Sequence, residues 1–525
     1  MPDVPAWVRD AVFYQVFPDR FASSDRVVKP GPLEPWDAQP TNYGFKGGDL
    51  LGVVEHLDHI QELGATALYL TPVFQSASNH RYHTYDYLAV DPLLGGDAAL
   101  RELIDAVHAR GMRILLDGVF NHTGRGFWPF HHVLETGAGS PYRSWFHWDE
   151  AALAAGRPPN AYPAGRMRSG VADDGPAPWD QDQGPEAVAA RDRLGYEAWW
   201  GLPALPKLNI AEPAVREFLW GVSEHWLRFG IDGWRLDVPA EIQDRSFWQE
   251  FRRRCRAVNP EAYFVGEIWH VDPDWVSGDR FDALMNYPLA ESIIGFVGGQ
   301  SLNEALLRSH HEYGRVTRID GATFASRVGE LLRSYAPETN AVQLNLLDSH
   351  DTPRALSLLG GDREAMELAT LLQASLPGAP CIYYGDEVGV EGGIDPDSRR
   401  AFPWDPARWD QALHASMRGS LAARHSLPEL RSDEVDVIST SGRALVFRRG
   451  ADGRVAVALN SNEEPVTLSL GSGTAGDLIH AAGRARVAAA GAGPAAGVVV
   501  APASGADGGL AVTLPARSGA IIAIS

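Results

Sequence analysis

Eight short apolar runs, each followed by a stretch of helical periodicity, occupy the chain from Val12 to Tyr384 and leave few folds open to it. The runs are Val12–Phe17, Ala67–Leu70, Arg113–Asp117, Gly233–Asp237, Tyr263–Glu267, Phe281–Met285, Ala341–Leu346 and Cys381–Tyr384. Between them, segments such as Leu50–Leu63, Asp97–Arg110, Pro213–Arg228 and Asp244–Val258 place apolar residues at helical spacing. Strands that alternate with helices form a parallel sheet, and eight of them predict a closed (β/α)₈ barrel of the TIM type rather than an open doubly wound sheet. No GxGxxG follows a strand and no GxxxxGK[ST] occurs, so the phosphate cradles of nucleotide-binding α/β folds are missing.

Two stretches break the alternation. Between Asn121 and Lys207 the chain is rich in Pro, Gly and aromatic residues and has little helical period, as expected of a domain inserted after strand three. Beyond residue 433 the period falls to two, at Ala444–Arg448, Arg454–Leu459, Val466–Leu470, Leu510–Leu514 and Ala520–Ile524, which predicts a small antiparallel β-sandwich. The Ala/Gly-rich piece Ala481–Gly509 is expected to be loop and edge strand within it. The domains predicted are residues 1–121 with 208–433 for the barrel, 122–207 for an inserted domain B, and 434–525 for the sandwich. The 525 residues accommodate three such units.

Charge narrows the ligand. With 67 acidic and 46 basic residues the net charge is −21, which repels nucleic acid and anionic membranes alike. The two cysteines, Cys255 and Cys381, cannot build a disulfide framework or a Cys-rich metal site. The N-terminus lacks the basic and apolar regions of a secretory signal, and no apolar run is long enough to span a bilayer, so a cytoplasmic location is expected. The 16 tryptophans fit either a core or a cleft in which sugar rings stack on indoles.

In a (β/α)₈ barrel the reactive groups sit at the C-terminal ends of the strands. Strand three ends in LLDGVFNH (Asp117, Asn121, His122), and strand four in WRLDVPAE (Arg235, Asp237, Glu241). Strand five ends in GEIWH (Glu267, Trp269, His270), and strand seven in LLDSHDTPR (His350, Asp351, Arg354). A single acid at a strand end is most often a cap, but four strands bringing acids to one rim supply the paired carboxylates that glycosidic cleavage needs. Metal-assisted hydrolysis is the competing chemistry, yet HExxH is absent and the pairs His131–His132 and His310–His311 fall outside the strand ends.

These ordered segments, with LPKLN at Leu205–Asn209, resemble the signature regions of the α-amylase superfamily, glycoside hydrolase family 13, in its neopullulanase, cyclomaltodextrinase and maltogenic amylase branch. The resemblance implies that Asp237 is the nucleophile, Glu267 the general acid/base, and Asp351 the carboxylate that steadies the distorted sugar. It further implies that Arg235 orients Asp237, that His122 and His350 hold sugar hydroxyls, and that Tyr82 stacks under the ring. Trp269 and Glu241 resemble residues on the leaving-group side, and Arg354 is expected to join the substrate site. For Asp117 a bracing role is expected.

Three departures from the family pattern bear on specificity. The barrel pattern begins at Trp7–Phe17, where this branch carries an N-terminal β-domain used in dimerisation, so either a monomer or a homodimer is expected. His83 follows the stacking tyrosine where Asp is common, and Val238-Pro239-Ala240-Glu241 replaces VANE. The Asn/Asp-rich calcium loop is reduced to Ala22-Ser23-Ser24-Asp25, leaving Asp49 as a weak calcium ligand, so no metal or other cofactor is expected. The function these features predict is retaining hydrolysis of α-1,4, and as an extension α-1,6, bonds in small cyclic or linear maltooligosaccharides. The open alternatives are a hydrolase specialised for a compact cyclic tetrasaccharide such as cyclic maltosyl-maltose, a transglycosylase or isomerase using the same glycosyl-enzyme, and a non-catalytic binding barrel.

Overall fold

The computed structural model describes residues 3–163, 193–485, 497–503 and 509–524. The part of the inserted stretch at 164–192, and the parts of the Ala/Gly-rich piece at 486–496 and 504–508, lie outside the described residues. The strands before residue 400 are β1 (Phe13–Val16), β2 (Ala67–Leu70), β3 (Phe74–Ser76), β4 (Thr84–Val90), β5 (Arg113–Gly118), β6 (Gly233–Leu236), β7 (Tyr263–Gly266), β8 (Ala283–Leu284), β9 (Leu344–Asn345) and β10 (Ala379–Tyr383). Eight of them lie side by side in the order β8-β7-β6-β5-β2-β1-β10-β9, all parallel. A parallel bridge between Met285 and Leu344 joins the two ends, so the sheet closes into a (β/α)₈ barrel. The strands are buried on both faces, as a helix-wrapped parallel sheet must be.

Where β8 and β9 are shorter than their apolar runs, side chains have displaced the ladder: the Leu284 N–H donates to the Gln343 side chain at 2.6 Å. The segment expected as one helix over Leu50–Leu63 is two, Leu50–Glu55 and Leu57–Leu63. His56 breaks it at φ −118°, its ring packed 3.7 Å from that of Trp404. The β3–β4 hairpin was not anticipated, and the loop between its strands carries His80, Tyr82 and His83 to the barrel mouth. The inserted stretch includes a helix, Trp128–Thr136; an antiparallel bridge His122–Lys207 closes its base, and Phe146–Leu208 ties it to the barrel.

After the barrel come β11 (Val435–Thr440), β12 (Ala444–Arg449), β13 (Val455–Asn460), β14 (Val466–Gly471), β15 (Ala475–Gly483), β16 (Val499–Pro502), β17 (Leu510–Leu514) and β18 (Ser518–Ile524). They form two antiparallel sheets, β11-β12-β13-β18-β15 and β14-β17-β16. Val446, Ala458 and Ile522 of the first sheet share a core with Leu468, Val512 and Leu514 of the second. The period-two alternation dictates this, because each sheet turns one face inward. Among the described residues, no helix is long and apolar enough to cross a membrane.

Candidate active site

Register alone stacks the reactive groups. Asp117 of β5 pairs with Arg235 of β6, and Arg235 with Val265 of β7. Leu236 then pairs with Gly266, which brings Asp237 and Glu267, one residue beyond each strand, to the same level. Backbone bonds from Asp237 N to Gly118 O (3.1 Å) and from Glu267 N to Leu236 O (3.0 Å) extend the ladder and hold both residues there. Arg235 and Asp237, two apart on an extended chain, face the same side.

The Arg235 guanidinium is wholly buried and meets four carboxylates. Nη1 lies 3.0 Å from Asp117 Oδ2 and 3.1 Å from Asp237 Oδ1, and Nη2 lies 3.1 Å from Glu267 Oε2 and 3.9 Å from Asp351 Oδ2. Burial opposes the Arg235 charge, but Asp117 and Glu267 outweigh it and keep the group ionised. One cation cannot neutralise four acids. Burial and the nearby Glu267 accordingly push the Asp237 carboxyl well above the carboxylate range, with Arg235 opposing. Asp237 Oδ2 is buried and, among the described residues, accepts no hydrogen bond. It is the one oxygen of the pair Asp237–Glu267 left uncommitted.

Glu267 is held at three points. Its Oε2 accepts the Val238 N–H at 3.0 Å as well as facing Arg235, and its Oε1 accepts from Trp269 Nε1 at 3.2 Å. Val238 reaches Glu267 from a left-handed backbone conformation, φ 35°, which a β-branched residue adopts at a cost of about 1–3 kcal/mol. Trp269 is locked by Tyr287, their rings 3.6 Å apart and 9° from parallel.

Across the mouth, Asp351 Oδ2 lies 3.0 Å from His350 Nε2 and Asp351 Oδ1 lies 3.5 Å from Arg399. Desolvation and Glu267 push Asp351 up to about 7, against the pull of Arg399 and Arg235. Burial, with Arg399 and Arg235, keeps His350 neutral. Tyr82 stacks on His350 at 5.4 Å, and its hydroxyl donates to Asp117 Oδ2 at 2.9 Å. Tyr69 donates to the same oxygen at 2.7 Å, so Asp117 is a brace for Tyr82 and Arg235.

His122 is fully buried, and its Nε2 has no partner among the described residues. Burial lowers it to about 3, so it is a neutral group. Its ring lies parallel to that of Trp199, 4.9 Å away, and Trp199 in turn stacks on Trp200 at 4.6 Å. Glu241 sits at the rim, 41% exposed, paired with Lys207 at 2.9 Å. His270 points to solvent.

Arg354 corrects the expectation of a sugar contact. It is fully buried, donates to Ser398 O (2.8 Å) and Tyr384 O (2.6 Å), and lies 3.8 Å from the Tyr383 ring centroid, so it braces the loop from beneath. Asp49 is engaged by this chain's own donors: its oxygens accept from Ser24 N (2.9 Å) and Gly52 N (2.7 Å), and the Lys29 ammonium lies 2.9 Å from Oδ2. Among the described residues no cluster of His, Cys, Asp or Glu is arranged to hold a metal.

Sequence reasoning missed Gln15, Tyr69, Tyr287 and Arg399. Gln15 and Tyr69 lie inside β1 and β2, where strand alternation could have pointed them at the barrel interior. Arg399 comes from the loop after β10, and no motif of strand and spacing announces it.

The model of the α-amylase catalytic domain matches residues 15–418. A cyclomaltodextrinase of Geobacillus thermopakistaniensis is 38% identical over 472 residues, 89% of this chain and 71% of that protein. The structure of a debranching enzyme of Nostoc punctiforme covers 100% of both chains at 41% identity and a TM-score of 0.82. That of a cyclic α-maltosyl-(1→6)-maltose hydrolase of Arthrobacter globiformis, with its named cyclic sugar, covers 88% of this chain and 93% of its own at 36% identity and a TM-score of 0.76. The buried arginine with its four acids at the mouth of a closed barrel, together with these similarities, shows that the chain belongs to the α-amylase family of glycoside hydrolases.

Proposed function

We propose that this enzyme hydrolyses α-1,4 and α-1,6 glucosidic bonds of small cyclic and linear maltooligosaccharides with retention of anomeric configuration. The observation that carries the reading is Asp237 Oδ2, buried and uncommitted beside a Glu267 held by Arg235, Val238 and Trp269. In the first step Oδ2 attacks the anomeric carbon while Glu267 delivers a proton to the departing glycosidic oxygen. In the second, Glu267 takes a proton from water as it displaces Asp237 from the sugar. Asp351 and neutral His350 hold ring hydroxyls, and Arg235 stabilises Asp237 as it leaves. Crowded acids cannot all ionise, and the first step requires that the proton shared by Asp237 and Glu267 sit on Glu267 while Asp237 is ionised.

The substrate class draws on the relatives' names, a cyclomaltodextrinase and a debranching enzyme. A compact cyclic tetrasaccharide is the second reading, favoured by the match to the cyclic maltosyl-maltose hydrolase over 93% of that chain. Lys29 at Asp49 supports action without an essential metal or other cofactor. The reading extends to α-glucan oligosaccharides as partners, a cytoplasmic location, and a monomer or homodimer. A product profile on cyclodextrins, pullulan, linear maltooligosaccharides and cyclic maltosyl-maltose, with the first product's anomer read by NMR, tests the proposal. Initial α-product supports retention, and initial β-product overturns it.

A further inference from the structure

The loop that carries His350 and Asp351 is closed by an acid outside the catalytic cluster. Asp348 is 1% exposed, and its Oδ2 accepts the N–H of Ala355 at 2.6 Å. Ala355 opens the short helix Ala355–Leu358, whose preceding residue, Arg354, supplies no side-chain cap. Asp348 therefore spans the turn from its first residue to its last and leaves Asp351 near the apex. Its other oxygen, Oδ1, is buried and meets no donor among the described residues. The neighbouring group is the carboxyl of Asp386, itself 5% exposed and within hydrogen-bonding reach of the Asp348 carboxyl. Two carboxylates cannot share a hydrogen bond unless one of them carries a proton.

We propose that Asp348 and Asp386 share a single proton as a buried acid pair, and that this pair is a positioning element that holds the His350–Asp351 turn in its working geometry. Asp348 Oδ1 carries the proton toward Asp386, whose Oδ1 takes the Arg354 Nη1 at 3.2 Å. The assignment makes sense of Arg354, whose hydrogen bonds among the described residues run to Ser398 O, Tyr384 O and Asp386. It also accounts for the charge balance, because one guanidinium serves a pair that carries one negative charge.

The surroundings leave that proton no substitute. Arg354 is the cation facing the pair, and Glu387 adds negative charge beside Asp386. Cys381 and Tyr383 of β10 and Tyr313 also face Asp348, and burial keeps all three neutral. Burial raises both acids, and their mutual repulsion raises Asp386 further. A raised acid contributes stability that is whole below its unfolded value, about 4, and is lost as pH rises toward its folded value.

The positioning role rests on the reading of His350 and Asp351 as sugar-holding groups, whereas the shared proton does not, and the test separates them. Infrared spectra of the wild type at neutral pH should show a protonated-carboxyl stretch that D348N abolishes and D237N leaves in place. A D348N spectrum identical to wild type in that region overturns the pair. The thermal midpoint of D348N should gain on that of the wild type as pH rises from 4 to 8, and a constant difference overturns the shared proton. With 4-nitrophenyl α-maltoside, D348A should lower kcat by about tenfold or more with little change in KM. D348N should recover most of that loss, because an amide accepts from Ala355 and donates to Asp386 at every pH. Equal kcat in D348A and D348N overturns the positioning role, even where the spectra uphold the proton.

Discussion

Gln15 Nε2 lies 2.8 Å from His350 Nδ1, and this contact decides which end of the imidazole is a donor. An amide N–H donates, so Nδ1 must accept and Nε2 must carry the ring proton. Nε2 then faces the Tyr82 hydroxyl at 2.6 Å and Asp351 Oδ2 at 3.0 Å, both able to accept. A residue of the first barrel strand thus sets the tautomer of a residue after the seventh.

Replacing Gln15 by Leu removes the donor and frees the ring to protonate Nδ1 instead. The expected result is a fall in kcat/KM of about tenfold, the worth of about one buried hydrogen bond. Nitrogen NMR of the His350 ring should show the tautomer change, and an unchanged ring with unchanged kcat/KM would remove Gln15 from the argument.

Asp237→Asn and Glu267→Gln should fail in different ways. The first removes the attacking oxygen and should lower turnover on maltooligosaccharides by several orders of magnitude. The second removes the proton donor, worth about 10²–10⁴-fold, and an activated aryl leaving group should restore much of the first step. Steady-state kinetics on maltotriose and on a dinitrophenyl maltoside separate the two, and near-normal turnover in D237N would refute its role.

Asp351 is raised to about 7, and Arg399 is what keeps it from rising further. As pH falls through that region Asp351 gains a proton and loses the charge that steadies the transition state, so kcat/KM should fall on the acid side. Arg399→Gln removes the opposing cation, and the acid limb should move to higher pH. The stability effect has the opposite sense: the raised acid destabilises progressively as pH climbs from about 4 to 7. Asp351→Asn should therefore melt higher than the wild type at pH 8 and lose that advantage below pH 4, as read by calorimetry.

Lys29→Met should leave Asp49, which is fully buried, without its counter-ion. Removing one partner of such a pair costs about 3–5 kcal/mol. Thermal melts should show a large drop in K29M, and chelator should leave the wild-type midpoint unchanged. A chelator-sensitive wild type would show that a metal, not Lys29, balances Asp49.

The eight barrel strands were legible because each is a continuous apolar run, and burial on both faces of a parallel sheet demands one. The sandwich was legible from its alternation, for the complementary reason. The β3–β4 hairpin and the break at His56 escaped because neither leaves a periodic mark; His56 turns where Trp404, far along the chain, packs on its ring. Acids at the rim, Asp237, Glu267 and Asp351 among them, were legible because strand ends fix where they emerge, and the family resemblance singled out these three.

What each acid meets there was decided by the fold. The sequence by itself determined the barrel, the sandwich and the identity of the acids at the rim, since these follow from local periodicity and position on a strand. Only the tertiary structure decided that one guanidinium faces four carboxylates, that Arg354 braces from below while Arg399 reaches Asp351, and that Lys29 stands at Asp49. Those are contacts between residues distant in sequence, set by parallel register and loop closure, and the charge states that follow depend on burial that no local pattern records.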